Sequence, residues 1–215
     1  MEKITPIVKE YGRHWTVKES FYRGKYHTFD ILEELTEPLN AQGLSDNYNE
    51  NKPKEKHYPA NSLIIGSIMD SAVISKNSSL INFLRETIRK KSPNTLSEMV
   101  YFLNENGKAV HNFGTLDEFW LYGKNLVGQD GFIQNLNNVE DILRISLGRN
   151  NIFKLNEISQ AINKTNMYLC RLNGKPNGVD KRVVGFSADL DGFCLTCNTK
   201  SLSSRYPAFR VLQVD

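Results

Sequence analysis

The segment ANSLIIGSIMDSAVISKN, residues 60–77, constrains this chain more than any other. Leu63, Ile64, Ile68 and Ala72 recur at the helical period, and Ile65 widens the stripe. A helix apolar over so broad an arc has no stable place on a surface, so it belongs at the centre of a core, covered on several sides. With 215 residues, the chain is long enough to supply that cover without disulfide or metal staples. The length suits one domain, residues 1–215, with a C-terminal subdomain over 139–215 as the natural subdivision.

The flanking sequence supplies candidate partners for the central helix. Asn77 or Ser78 caps a second helix, SSLINFLRETIRKK, whose Leu80, Phe83, Leu84 and Ile88 form one stripe. Its C-terminal cations complement the helix dipole, which accounts for them without nucleic acid. ITPIVKEY and HWTVKESF read as extended pieces, and FDILEELTEPL as a short helix ended by Pro38. Residues 40–59 are polar, contain two prolines and show no apolar period, so they read as a flexible loop or linker. A hairpin is expected near 96–113 around Asn104–Gly107, followed by a helix over TLDEFWLYGKNLV with Thr115 as its cap. NVEDILRISLG and Leu155–Ile162 read as further helices. MYLCRL, KRVVGFS, FCLTCN and AFRVLQV read as strands. The expected fold class is α+β: a helical core packed with a C-terminal antiparallel β-sheet and the additional hairpin.

Charge and cysteine usage narrow the function classes. The net charge of +3 is well below that of a dedicated nucleic-acid binder, but the excess is local. From Lys164 onward, eight Lys and Arg face four Asp. Three cysteines, an odd and small number, argue against a disulfide framework and fit a reducing compartment. No apolar run approaches a membrane span and the N-terminus lacks a secretory core, so a cytoplasmic protein without a membrane partner is expected.

Several constellations carry specific chemistry. The stretch LNEISQAINKTNMYLCRLNG, residues 155–174, has the outline of a helix-turn-helix, with Asn163–Thr165 as turn and 181–198 as wing. On that reading Lys164, Thr165, Asn166, Arg171, Lys175 and Arg182 contact nucleic acid. Ser159 stands where a small Ala is usual, Lys164 occupies a normally apolar position, and MYLCRL has neighbouring strands to join. Residues 167–172 therefore lean towards strand. CLTC places Cys194 and Cys197 three apart in a β-like run, pointing to opposite faces, so a metal site needs Cys170 and His111 to converge from elsewhere. No helix start follows the pair to activate a redox thiol. Aromatics and cations interleave over residues 11–27, a pattern shared by single-strand binders and by strands with half-buried aromatics, the latter being favoured. DLDG, 189–192, reads as a hairpin turn. There is no Walker loop and no GxGxxG, and no cofactor is expected.

The functional expectation is a non-enzymatic intracellular binding protein, with nucleic acid through a degenerate winged-helix-like C-terminal region as the first partner to test. The alternatives are an enzyme whose site assembles from distant residues and a protein-interaction or structural protein.

Overall fold

A computed structural model describes residues 4–112, 120–123, 125–188 and 192–214. The chain opens with three strands, β1 (Ile7–Tyr11), β2 (His14–Tyr22) and β3 (Lys25–Leu32), then forms α1 (Ala41–Asn51) and the short β4 (Tyr58–Pro59). Helices α2 (Ser62–Ile74) and α3 (Ser78–Lys91) lead into β5 (Asn94–Tyr101), β6 (Gly107–His111), β7 (Trp120–Gly123) and β8 (Gly131–Phe132). The remainder is α4 (Glu140–Leu147), α5 (Ile152–Asn163), β9 (Met167–Cys170), β10 (Asp180–Ala188), β11 (Phe193–Thr196) and β12 (Arg210–Gln213).

These strands form two sheets, one in the order β1-β2-β3-β12-β4 and one in the order β7-β6-β5-β10-β11-β9-β8. The expected helical core with a single C-terminal antiparallel sheet is therefore incorrect. The N-terminal strands build a sheet of their own, and the last strand of the chain, β12, pairs with β3 and β4 inside it. The larger sheet is mixed, because β9 and β11 run parallel. The central helix is as wide-faced as its sequence requires: every residue from Ser62 to Ala72 is buried. It packs against β2 on one side, β5 on another and helices α3, α4 and α5 elsewhere.

Three local expectations are overturned. FDIL is strand, because Phe29 and Ile31 are buried at period two between neighbours β2 and β12. Residues 41–51 form a helix capped by the Asn40 side chain, which accepts from the Gly43 N–H at 2.9 Å. That helix buries only Ala41, Leu44 and Tyr48, too thin a stripe to register as a period. The helix expected over 115–127 meets strand β7 at Trp120–Gly123, paired with β6. Its proposed cap and first turn lie outside the described residues, as does most of DLDG.

The hairpin β5–β6, the Asn77 cap of α3 and the C-terminal strands form as read. Arg85 of α3 does more than complement its own helix dipole. Its guanidinium donates to the carbonyls of Ile162 and Ala161, capping the end of α5.

One irregularity positions the site. Val17 pairs with Phe29 and Ser20 with His27, so Lys18 and Glu19 together oppose Thr28. This bulge, with Glu19 at φ 56°, switches the inward-facing set of β2 from Trp15 and Val17 to Ser20 and Tyr22. Ser20 then meets Ser67 and Ser71 of α2, at 2.6 and 3.0 Å between hydroxyl oxygens. Tyr22 reaches the N-terminus of α2.

Candidate anion-binding cavity

The β2–β3 hairpin turns through Arg23 and Gly24, both at positive φ (48° and 81°). Two central residues of positive φ define the primed turn that suits a right-twisted hairpin, and Asn-Gly or Gly-Gly is its usual sequence. An arginine in the left-handed region is strained, and such outliers gather at functional sites. The turn holds Arg23 over the Tyr22 ring, 5.3 Å from its centroid.

Facing this turn is the end of α4. Gly148, at φ 70°, closes that helix with its N–H on the Arg144 carbonyl at 2.9 Å. α2 supplies the floor, with Leu63 and Ser67 on one helical face. A Cβ on Gly66 would stand 3.2 Å from the Leu147 carbonyl oxygen, so the two helices meet almost backbone to backbone. The Ser62 hydroxyl donates to the Ser146 carbonyl at 2.5 Å and fixes that approach.

Between hairpin and helices lies a cavity of about 280 Å³, near the lower end of small-molecule sites. Among the described residues its charged lining is Arg23, Arg144 and Arg149, with no carboxylate. Asp70 and Asp141 stand outside the lining. Arg149 bonds to Asp70 at 2.7 Å, and Arg144 to Asp141 at 3.2 Å. Leu63, Leu147, Phe21 and Tyr22 give the cavity apolar walls. The field of Arg23 extends inward: after burial, it is the next cause holding down the pKa of both Lys52 and His111. Guanidinium forks bind phosphate and carboxylate through paired charge-assisted hydrogen bonds.

Larger hollows are less specific. One of about 520 Å³ between Phe102 and Arg144 shares Arg144 with the arginine cavity and brings Asp141 into its lining. Another of about 500 Å³ mixes Glu33 and Glu86 with Lys90 and Lys91.

Behind the cavity runs a buried polar network. Asn61, the cap of α2, donates to the Tyr22 hydroxyl at 3.1 Å and to Asn112 Oδ1 at 3.0 Å. Ser97 and His111 face each other across β5 and β6, 2.7 Å from Oγ to Nδ1. His111 Nε2 meets the Ile145 carbonyl at 3.1 Å, so Nε2 carries the proton and Nδ1 accepts from Ser97. Both residues are wholly buried, and burial pushes the His111 pKa down to about 3. The pair has the composition of a nucleophile and its base, but no route to a substrate; it joins the sheet to α4.

The six nucleic-acid candidates lie at the end of α5, around β9 and on β10, and most are engaged within the fold. The chain extends into β9 after Thr165, so no second helix follows the turn. Lys164 is exposed and ends α5 at φ 63°, within the turn expected at Asn163–Thr165. Thr165 Oγ1 accepts from the Phe193 N–H at 3.1 Å, and Asn166 is half-buried at the entry to β9. Lys175 pairs with Glu105 at 3.0 Å, and Arg182 is bidentate on Asp180 at 2.9 Å.

Arg171 is buried and donates to the carbonyls of Gln129, Asn137 and Asn138, pinning the segment before α4. A Cβ on Gly128 would collide with that guanidinium at 2.5 Å. Arg171→Lys keeps the charge but loses the fork. The expected cost is about 2 kcal/mol of unfolding free energy, read from urea denaturation, with the 125–139 amides losing exchange protection.

Cys170 and Cys194 meet, whereas Cys197 turns to Ser146 Oγ at 3.7 Å. Among the described residues no group of three or more His, Cys, Asp or Glu is placed to hold a metal ion. Lys200, missed in the sequence, is buried with its amine on the Ser92 and Pro93 carbonyls and 4.3 Å from the Tyr206 ring centroid. Burial brings its pKa down to about 7, yet its contacts lock the end of α3 and leave the amine little access to solvent. Among the described residues no helix is long and apolar enough to cross a membrane. No family model matches the chain, and no curated protein or solved structure matches it significantly.

Proposed function

We propose that this chain is a binding protein for a small ligand bearing a phosphate or carboxylate group, held in the cavity between the β2–β3 hairpin and the end of α4. The observation that carries the reading is the composition of the charged lining: three arginines, one from the β2–β3 hairpin and two from the end of α4, with no carboxylate among the described lining residues. The strained backbone of Arg23 supports it, since a hairpin selected for stability alone would place Asn or Gly there. The ligand's anionic group would lie among the guanidiniums, and a short apolar body would lie against Leu63, Leu147 and Phe21.

Arg23→Asn separates binding from folding. Asn tolerates the left-handed backbone and removes the charge. Calorimetric titration with inorganic phosphate, pyrophosphate and a phosphorylated sugar should give saturable binding to the wild type. Arg23→Asn should weaken it by about tenfold or more while the protein keeps a cooperative melting transition. A short DNA duplex titrated in parallel should bind no more tightly than free phosphate. Wild-type affinity in Arg23→Asn would contradict the assignment, as would tight duplex binding that is indifferent to Arg23.

A further inference from the structure

The parallel pair β9–β11 sets Cys194 opposite Tyr168 and Thr196 opposite Cys170. Cys170 and Cys194 are thus diagonal neighbours on one face of the sheet, and their sulfurs stand 2.7 Å apart. A disulfide bond is about 2.0 Å long, so only a small movement separates the two thiols from bonding distance. Both are free thiols; Cys170 is half-buried and Cys194 buried. Cys197 donates its N–H to the Cys170 carbonyl at 2.8 Å, but its thiol is wholly buried and turned to Ser146. Neither member of the pair lines the arginine cavity.

We propose that Cys170 and Cys194 form a reversible redox pair, closed to an intramolecular disulfide by a small disulfide oxidant of the glutathione class. Cys170, the more accessible thiol, loses its proton to solvent and attacks one sulfur of the oxidant. The oxidant's S–S bond breaks, one thiolate leaves, and a mixed disulfide remains on Cys170. Cys194 then loses its proton, attacks Cys170 Sγ and expels the second thiolate. Two protein thiols are oxidised to one disulfide, and one oxidant disulfide is reduced to two thiols. The bond ties β9 covalently to β11 and closes the loop that carries β10. The hydrogen bond that the Cys194 thiol makes to Cys170, together with burial, holds that thiol above the ordinary range, so the second step accelerates as pH rises.

The test is incubation of the folded, full-length protein with oxidised glutathione, acid quenching, and mass spectrometry with peptide mapping. The expected product has lost two hydrogens, carries a Cys170–Cys194 cross-link, keeps Cys197 as its one free thiol and reverts with dithiothreitol. Cys194→Ser should stop at a glutathione adduct on Cys170, and Cys197→Ser should react like the wild type. A stable adduct on wild-type Cys170 without a cross-link, a cross-link through Cys197, or three thiols unreacted in the folded protein would each overturn the proposal.

Discussion

Acidification from pH 6.5 to 3 is expected to cost the fold on the order of 5 kcal/mol through His111 alone. The ring is wholly buried, and burial, reinforced by the Arg23 charge, pushes its pKa down from an ordinary 6.5 to about 3. In the unfolded chain the imidazole takes up a proton near pH 6.5; in the folded chain it does so only near pH 3. Between those values the unfolded state binds more protons, so stability is complete above pH 6.5 and falls as pH falls towards 3. Protonation would also turn Nδ1 into a donor facing Ser97 Oγ, which already accepts from the Ser62 N–H at 2.9 Å. Urea midpoints measured at several pH values for the wild type and His111→Gln check this. The variant should be less stable at pH 7 but should show a much flatter profile between pH 6.5 and 3. Parallel profiles would place the acid sensitivity elsewhere.

Arg149→Ala should be the most damaging substitution in the cavity, at about 3 kcal/mol or more of stability. Asp70 is 5 % exposed on α2 and bonds Arg149 through Oδ2 at 2.7 Å. Its Oδ1 makes no hydrogen bond and has Lys154 Nζ only at 3.7 Å. Removing Arg149 therefore leaves a buried carboxylate on the core helix with only the Lys154 amine at 3.7 Å as counter-charge. Asp70→Asn, which removes the charge and keeps the shape, should cost less. The double variant should recover most of the loss, and a double-mutant cycle by chemical denaturation measures the coupling. Additive losses would mean that the pair is solvated. Because Arg149 is tied to the fold in this way, Arg23 is the residue through which binding can be tested without unfolding the protein.

Elements whose own residues decide their conformation were legible in the sequence. α2 and α3 announce themselves by wide or regular apolar stripes, α3 also by its Asn77 cap, and β5–β6 by alternation around an Asn-Gly region. β9 to β12 are short runs of strand formers between turns. Elements decided by tertiary partners were not. FDILEEL has apolar residues compatible with either period, and only β12, returning from the far end of the chain, settles it as an inner strand. α1 rests on three buried residues, a cap and the edge-on packing of Tyr48 against Tyr58, none of which forms a pattern in sequence. The candidate site was illegible for the same reason. Arg23 lies within the aromatic and basic run of residues 11–27, but Arg144 and Arg149 join it only through the packing of α4 on α2. The proximity of Cys170 to Cys194 likewise depends on the β9–β11 register, whereas the opposed directions of Cys194 and Cys197 follow from strand alternation alone.

The most direct test of the arginine cavity is a phosphate titration of the isotopically labelled protein followed by amide NMR. Saturable shifts are expected at Arg23, Gly24, Ser67, Gly148 and Arg149, all fitting one dissociation constant and all absent in Arg23→Asn. Shifts scattered over the exposed lysines, or no saturation at these five amides, would contradict an anion site between the hairpin and α4.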